Sequence, residues 1–301
     1  MPCYHPLKAF RNDANESRPT IHFNPHIGQY DIPLRLPCGQ CIGCRLDRSR
    51  QWAIRCVHEA QLHEKNCFLT LTYSDDHLPE GGSLRFKDFQ DFMKRLRKRM
   101  GPVRFFHCGE YGEKLSRPHY HACLFGLDFH DKYLWKENRG FPIYRSPILE
   151  ELWPFGHSSI GAVTFESAAY VARYITKKIT GKNAADHYER LDEYGEYRQL
   201  DPEYTTMSRR PGIGSKWFAK YVNDVYPSDQ VILAGKKLKP PRFYDNLFDL
   251  SCPEEMEGIK FNRTKKAKLH AADQSPERLR DREFIQEAKL QQLIRDWEKI
   301  K

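Results

Sequence analysis

Two apolar periods alternate along the middle of this chain, one of about two residues and one of about three and a half. CFLTLTYSDD, residues 67–76, is β-branched and aromatic and ends in a turn, which predicts a buried strand. LRFKDFQDFMKRLRKRMG, residues 84–101, puts Phe86, Phe89, Phe92, Met93 and Leu96 on one helical face, with Gly101 as its stop. VRFFHCGEYGE, residues 103–113, and RPHYHACLFGL, residues 117–127, predict two strands joined by a short turn around Lys114 to Ser116. GHSSIGAVTF, residues 156–165, predicts a fourth strand, and ESAAYVARYITKKITGK, residues 166–182, a helix with Gly181 near its end. Upstream, residues 45–66 carry Leu46, Trp52, Ala53, Val57 and Ala60 at roughly helical spacing and predict a basic amphipathic helix.

The remaining stretches lack a clear period, and there is no internal repeat. Residues 1–44 are rich in Pro, His and Cys and read as irregular. Residues 128–155 read as a long insertion with many aromatics, and residues 183–258 interleave aromatic and basic residues. KFNRTKKAK, residues 260–268, is a basic run, and residues 275–300 read as one charged helix. The expected organisation is therefore a Cys-rich segment 1–44, a core 45–182, an accessory DNA-binding region 183–258 and a basic helical tail 259–301.

Charge narrows the function. A net charge of +9 and a pI near 9.0 favour a polyanionic partner. No apolar run approaches the roughly 18 residues of a membrane span. The opening MPCYHPLKAF lacks the apolar core of a signal peptide, so an intracellular protein is expected. Nine cysteines, an odd number, then fit thiols or metal ligands better than a disulfide framework.

Three groups of residues carry candidate chemistry. On a strand, His119 and His121 point to one face and Tyr120 to the other. Such a pair is more often structural than metal-binding. Glu110, on the neighbouring predicted strand, changes the balance, because a short hairpin brings its carboxylate beside both imidazoles. Two His and one carboxylate with open positions suit a divalent ion that still binds substrate, or Fe(II) for oxygen chemistry. In YVARYITKK, Tyr170 and Tyr174 share a helical face and Lys177 and Lys178 follow. They are either packing residues or a pair of nucleophiles assisted by a lysine. PCGQCIGC spaces Cys38, Cys41 and Cys44 as C-x2-C-x2-C, with Cys3 as the leading fourth ligand for structural zinc and His5 the next; an iron–sulfur cluster or free thiols are the alternatives. Cys56, Cys67, Cys108, Cys123 and Cys252 read as small buried hydrophobes.

These motifs, in this order, resemble the HUH endonucleases, and most closely the rolling-circle replication initiators of microviruses in the gokushovirus branch. FLTLTY (68–73) resembles the first motif, PHYHACLFG (118–126) the histidine motif and YVARYITKK (170–178) the paired-tyrosine motif, while Glu110 matches the acidic ligand. PCGQCIGCRLDRSRQWAIR and SRRPGIG also resemble this branch. Tyr120 departs from the usual apolar residue between the histidines.

The resemblance implies an α+β fold: an antiparallel sheet of about five strands, histidines central, helices outside. It implies Mg²⁺ or Mn²⁺ on His119, His121 and Glu110, and attack by Tyr170 or Tyr174 on the origin phosphate. Lys177 or Lys178 assists, helical geometry favouring Lys178. Viral origin DNA, host helicase and host DNA polymerase are the implied partners, and the bacterial host's cytoplasm the implied place. Arg45, Arg48, Arg95, Lys98, Arg209, Arg210, Lys216 and Trp217 are the candidate DNA contacts, being basic or stacking residues. Two rivals predict differently. An iron oxygenase would not need the tyrosines, and a zinc-dependent nucleic-acid binder would not need the histidines.

Overall fold

The computed structural model describes residues 3–12, 20–24, 31–112, 115–138, 140–174, 184–191 and 195–292, of Asn12, Asp31, Arg173 and Tyr174 the backbone only. The described chain falls into two compact units. One joins the residues up to Arg48 with those from Asn262 on, and the other is Ser49–Phe261. No helix among the described residues is long and apolar enough to cross a membrane.

In the first unit, β1 (Leu7–Asn12) lies between β2 (Thr20–His22) and β3 (Asp31–Leu36) in an antiparallel sheet. The expected irregular segment is thus partly a sheet. Its register is carried by backbone pairing, from Leu7–Leu36 to Asn12–Asp31, on strands where Pro33 and the charged residues hide any alternation. Helix α1 (Ile42–Ala60) starts three residues before its expected beginning.

The second unit is built on β4 (Asn66–Tyr73), β5 (Arg104–Tyr111) and β6 (Pro118–Phe125). They are joined by β7 (Tyr133–Asn138), β8 (Phe141–Arg145) and β9 (Gly156–Gly161). A small ribbon of β10 (Glu189–Leu191) and β11 (Tyr197–Gln199) precedes β12 (Tyr204–Met207). Among the described residues the sheet has seven antiparallel strands, in the order β12-β5-β6-β4-β9-β8-β7. The α+β antiparallel architecture is as expected, with more strands than the five or so foreseen. The additional strands come from the aromatic insertion and from the mixed region. Edge strands bury little, so neither shows a clean apolar alternation.

Alternation decides what each face carries. Leu69, Leu71, Tyr73, Tyr120, Ala122 and Leu124 form a core with Phe89, Phe92, Met93 and Leu96 of helix α2 (Phe86–Met100). Helix α3 (Pro147–Leu152) adds Leu149 and Leu152, and Trp153 donates its indole N–H to the Thr72 carbonyl at 3.1 Å. Gly101 ends α2 with φ +88°, a left-handed conformation that favours glycine. Tyr120 is fully buried in this core, and its hydroxyl lies 2.7 Å from that of Tyr73. It also donates to the Arg85 carbonyl at 2.9 Å and accepts from the Arg85 N–H at 3.1 Å. A tyrosine is therefore accommodated between the histidines because its polar end is satisfied. Tyr120→Phe strands those partners, and thermal or denaturant unfolding is expected to show a loss of about 1–3 kcal/mol.

Helix α4 (Phe165–Tyr174) packs on the other face, over β5, β6 and β12. The Ser49 hydroxyl of α1 donates to the Ala169 carbonyl at 2.8 Å, and Trp52 of α1 stacks on Phe106 of β5. Helix α5 (Ala184–Tyr188) follows, then α6 (Ser215–Val225), α7 (Arg242–Ser251) and α8 (Pro253–Lys268). Phe218, Val225, Tyr244, Phe248, Met256 and Ile259 of these later helices form a second core with Ile54 of α1. Helix α9 (Pro276–Gln292) is the described part of the expected terminal helix. Cys56, Cys67, Cys108 and Cys123 are fully buried, and Cys252 packs against the second core.

Candidate active site

The β5–β6 hairpin sets the register that matters. Glu110 pairs directly with His119, and Cys108 with His121. On the other side of β6, Thr72 pairs with His119 and Thr70 with His121. Paired residues share a face, so Glu110, both histidines and both threonines lie on the α4 side of the sheet.

Glu110 Oε1 is 2.8 Å from His119 Nε2 and 3.0 Å from His121 Nε2. Glu110 is buried at 1% exposure and His121 at 5%. Burial pushes the Glu110 carboxyl up, but the two imidazoles overcome it and hold the group below the usual carboxylate range. The other ring nitrogens are also engaged. His119 Nδ1 is 3.0 Å from the Arg117 carbonyl, and His121 Nδ1 is 3.0 Å from the Thr70 hydroxyl. This leaves both Nε2 atoms converging on one point with the carboxylate. One ligand atom from each residue falls within 4.8 Å of the others. Two imidazoles and a carboxylate with outer partners on the ring nitrogens are a fitting donor set for a divalent cation.

Helix α4 brings a phenol to the same place. The Tyr170 ring lies 5.0 Å from the His121 ring at 84°, and Tyr170 is buried. The side chain of Tyr174 and residues Lys177 and Lys178 lie outside the described residues. Residues 66–179, which begin with β4, include the whole of α4 and hold this whole arrangement, match the family model described as Replication-associated protein ORF2/G2P. The chain is 34% identical to replication-associated protein VP4 of Bdellovibrio phage phiMH2K, over 85% of this chain and 79% of that protein. The chain belongs to this family of phage replication-associated proteins. It is also 33% identical to replication-associated protein ORF2 of Spiroplasma virus 4, over 89% of this chain and 87% of that one. Replication-associated protein ORF4 of Chlamydia phage 1 is 30% identical over 77% of this chain and 57% of its own length. No solved structure matches.

Sequence reasoning about this replication-associated protein missed Thr70 and the Arg117 carbonyl. Nothing in FLTLTY marks which threonine meets His121, because cross-strand register is not written in a single strand. Thr70→Val removes the hydroxyl that orients His121. It is expected to weaken divalent-metal affinity about 10–100-fold, read by calorimetric titration with Mn²⁺.

The candidate DNA contacts are scattered. Arg45 and Arg48 are on α1, the first half-buried and the second exposed. Arg95 and Lys98 are on α2, which packs on the face opposite the histidines. Arg95 donates to the Leu152 carbonyl at 3.1 Å and lies over the Phe155 ring, while Lys98 is exposed. Arg209, Arg210 and Lys216 are exposed around the start of α6. Trp217 stacks on His58 with centroids 3.4 Å apart and donates to Gln61 Oε1 at 2.7 Å, so packing occupies one face of its indole.

A second metal-type group lies in the first unit. The sulfurs of Cys3, Cys38, Cys41 and Cys44 fall within 4.8 Å of one another. The N–H groups of Cys38, Cys41 and Tyr4 point at the sulfurs of Cys3, Cys38 and Cys41, at 3.2, 3.3 and 3.3 Å. Burial pushes the Cys41 thiol up, but backbone N–H groups from Cys44 and Tyr4 bring it down to about 7. Burial raises the Cys3 and Cys44 thiols, so it is the N–H groups aimed at the sulfurs, and the clustering of the four sulfurs, that fit a tetrathiolate zinc site. His5, the alternative ligand, instead faces Glu283 of α9 at 2.7 Å.

Proposed function

We propose that the chain is an origin-specific, metal-dependent nicking and rejoining enzyme for rolling-circle replication of a phage genome. The convergence of Glu110, His119 and His121 beside the Tyr170 ring carries this reading. The kinship with phage replication-associated proteins and the charge of +9 support DNA as the substrate.

Glu110, His119 and His121 would hold Mg²⁺ or Mn²⁺. A divalent ion bound there would polarise the scissile phosphodiester and offset its charge in the transition state. Tyr170 or Tyr174 attacks phosphorus through its phenolic oxygen. The new O–P bond forms as the P–O3′ bond breaks, and the leaving 3′ oxygen takes up a proton. The protein is then joined to the 5′ phosphate. The 3′ hydroxyl serves a host polymerase while a host helicase opens the duplex. The second tyrosine cleaves the regenerated origin after one round. The released 3′ hydroxyl attacks the first phosphotyrosine, restores the phenol and closes the circle. Lys177 or Lys178 stabilises the developing negative charge. The four cysteines hold a structural zinc, and the reaction takes place in the cytoplasm of the infected bacterium.

The test is cleavage of single-stranded origin DNA with Mn²⁺ or chelator, on a denaturing gel that preserves adducts. Wild type runs beside Tyr170→Phe, Tyr174→Phe and the double variant. A metal-dependent covalent adduct, absent from the double variant, is expected. Cleavage without any adduct in the double variant would replace the tyrosine mechanism with attack by water.

A further inference from the structure

The β7–β8 hairpin carries a cluster that the chemistry above does not use. It forms one edge of the seven-stranded sheet. Its facing can be traced from the histidines by cross-strand pairs. Ile160 pairs with Leu69 on one side and with Tyr144 on the other, and all three belong to the core face. The alternate residues therefore share the histidine face: His157 and Ser159 on β9, and Phe141, Ile143 and Arg145 on β8. Tyr133 pairs with Arg145 and Lys136 with Ile143, so both lie on that face as well.

Trp135 joins them through a defect. A bulge between Leu134 and Lys136 breaks the alternation of β7 and re-aims the indole. The Lys136 ammonium lies 4.2 Å and the Arg145 guanidinium 5.6 Å from the Trp135 ring centroid. Tyr133, Trp135 and Phe141 remain 49%, 46% and 49% exposed. Three exposed rings with cations among them, on a sheet edge, mark an interaction surface.

The same face is divided in two. Helices α1 and α4 cover it at β5 and β6, where the metal-type residues sit. At β9 and beyond, His157, Tyr133 and Phe141 are exposed, Ser159 and Arg145 are half-buried, and Ile143 alone of the residues named is buried. Four strand spacings of about 4.8 Å separate β6 from β7, so the hairpin edge lies about 19 Å from the histidine strand, the reach of a few nucleotides.

We propose that the β7–β8 hairpin is a stacking platform for single-stranded DNA, with Tyr133, Trp135 and Phe141 receiving bases and Lys136 and Arg145 facing the phosphates. Arg145 gives one N–H to Glu150 at 2.8 Å, and a guanidinium has five. Rings between cations are how proteins hold single strands without reading sequence. A second copy of this hairpin would set like charges against each other. The identity of the strand as origin DNA rests on the proposed nicking activity; the binding itself does not.

The experiment titrates the full-length protein into a fluorescent oligothymidylate of about twenty nucleotides, so that binding is read apart from origin cleavage. Tyr133→Ala with Trp135→Ala is expected to weaken binding about tenfold or more, and Tyr133→Phe with Trp135→Phe to stay within about threefold of wild type. Three results would overturn the platform: no binding by wild type, an alanine pair as tight as wild type, or a phenylalanine pair as weak as the alanine pair. A wild-type dimer in sedimentation that the alanine pair dissolves, with DNA affinity unchanged, would assign the hairpin to self-association instead. Ring-dependent binding together with the absence of any adduct on origin DNA would keep the platform and remove the nicking reading.

Discussion

With His119→Ala and His121→Ala combined, adduct formation on origin DNA is expected to fall about a thousandfold or more, about 4 kcal/mol of lost transition-state stabilisation. Both imidazoles offer Nε2 to the point occupied by Glu110 Oε1, so their removal leaves one carboxylate where three donors stood. The same change strands a carboxylate buried at 1% exposure, and some stability is lost with it. Single-turnover rates should therefore be measured below the variant's own melting temperature. A folded variant that still forms the adduct at a wild-type rate would remove the metal centre from the reaction. Activity that survives chelation in wild type would do the same.

Cys41→Ser is expected to unfold the first unit while leaving the second folded. Zinc held by four thiolates contributes about 10 kcal/mol or more to small folds. The apolar cluster around this group is small, with Tyr4, Cys41 and Leu279 as its buried members among the described residues. With so little apolar core, the unit would depend on a bound zinc more than on burial. Elemental analysis should find about one zinc per chain. Limited proteolysis after chelation should cut within the residues up to Arg48 and spare the seven-stranded sheet. Protein that contains no zinc and melts identically with and without chelator would show that the cysteines are simple thiols.

The sequence by itself determined the parts whose pattern is strongly periodic. The hairpin of β5 and β6, the amphipathic α2 with its glycine stop and the strand FLTLTY all follow from alternation or from helical spacing. So does the shared facing of His119 and His121, since alternation is a property of any strand. The choice of Glu110 as their partner was legible because a short turn fixes which positions of two strands can meet. Cys3 was legible as a candidate, but only folding puts its sulfur beside the other three and the His5 ring against Glu283. That placement needed chain closure across about 35 residues, which no local pattern encodes.

Only the tertiary structure decided the rest. Thr70 became the partner of His121 through the register of β4 on β6. Arg95 looked like part of a basic patch, yet it lies on the helix that packs against the opposite face, because Phe89, Phe92, Met93 and Leu96 turn α2 toward the core there. Trp217 looked like a free ring until His58 stacked on it. The insertion 128–155 carried no clear period because an edge strand is only half buried and a bulge interrupts β7, so its aromatics reach the histidine face only when pairing with β9 sets their side. Periodicity states which residues share an element's face; which face meets which is a matter of packing between segments distant in sequence, and that information is distributed over the whole chain.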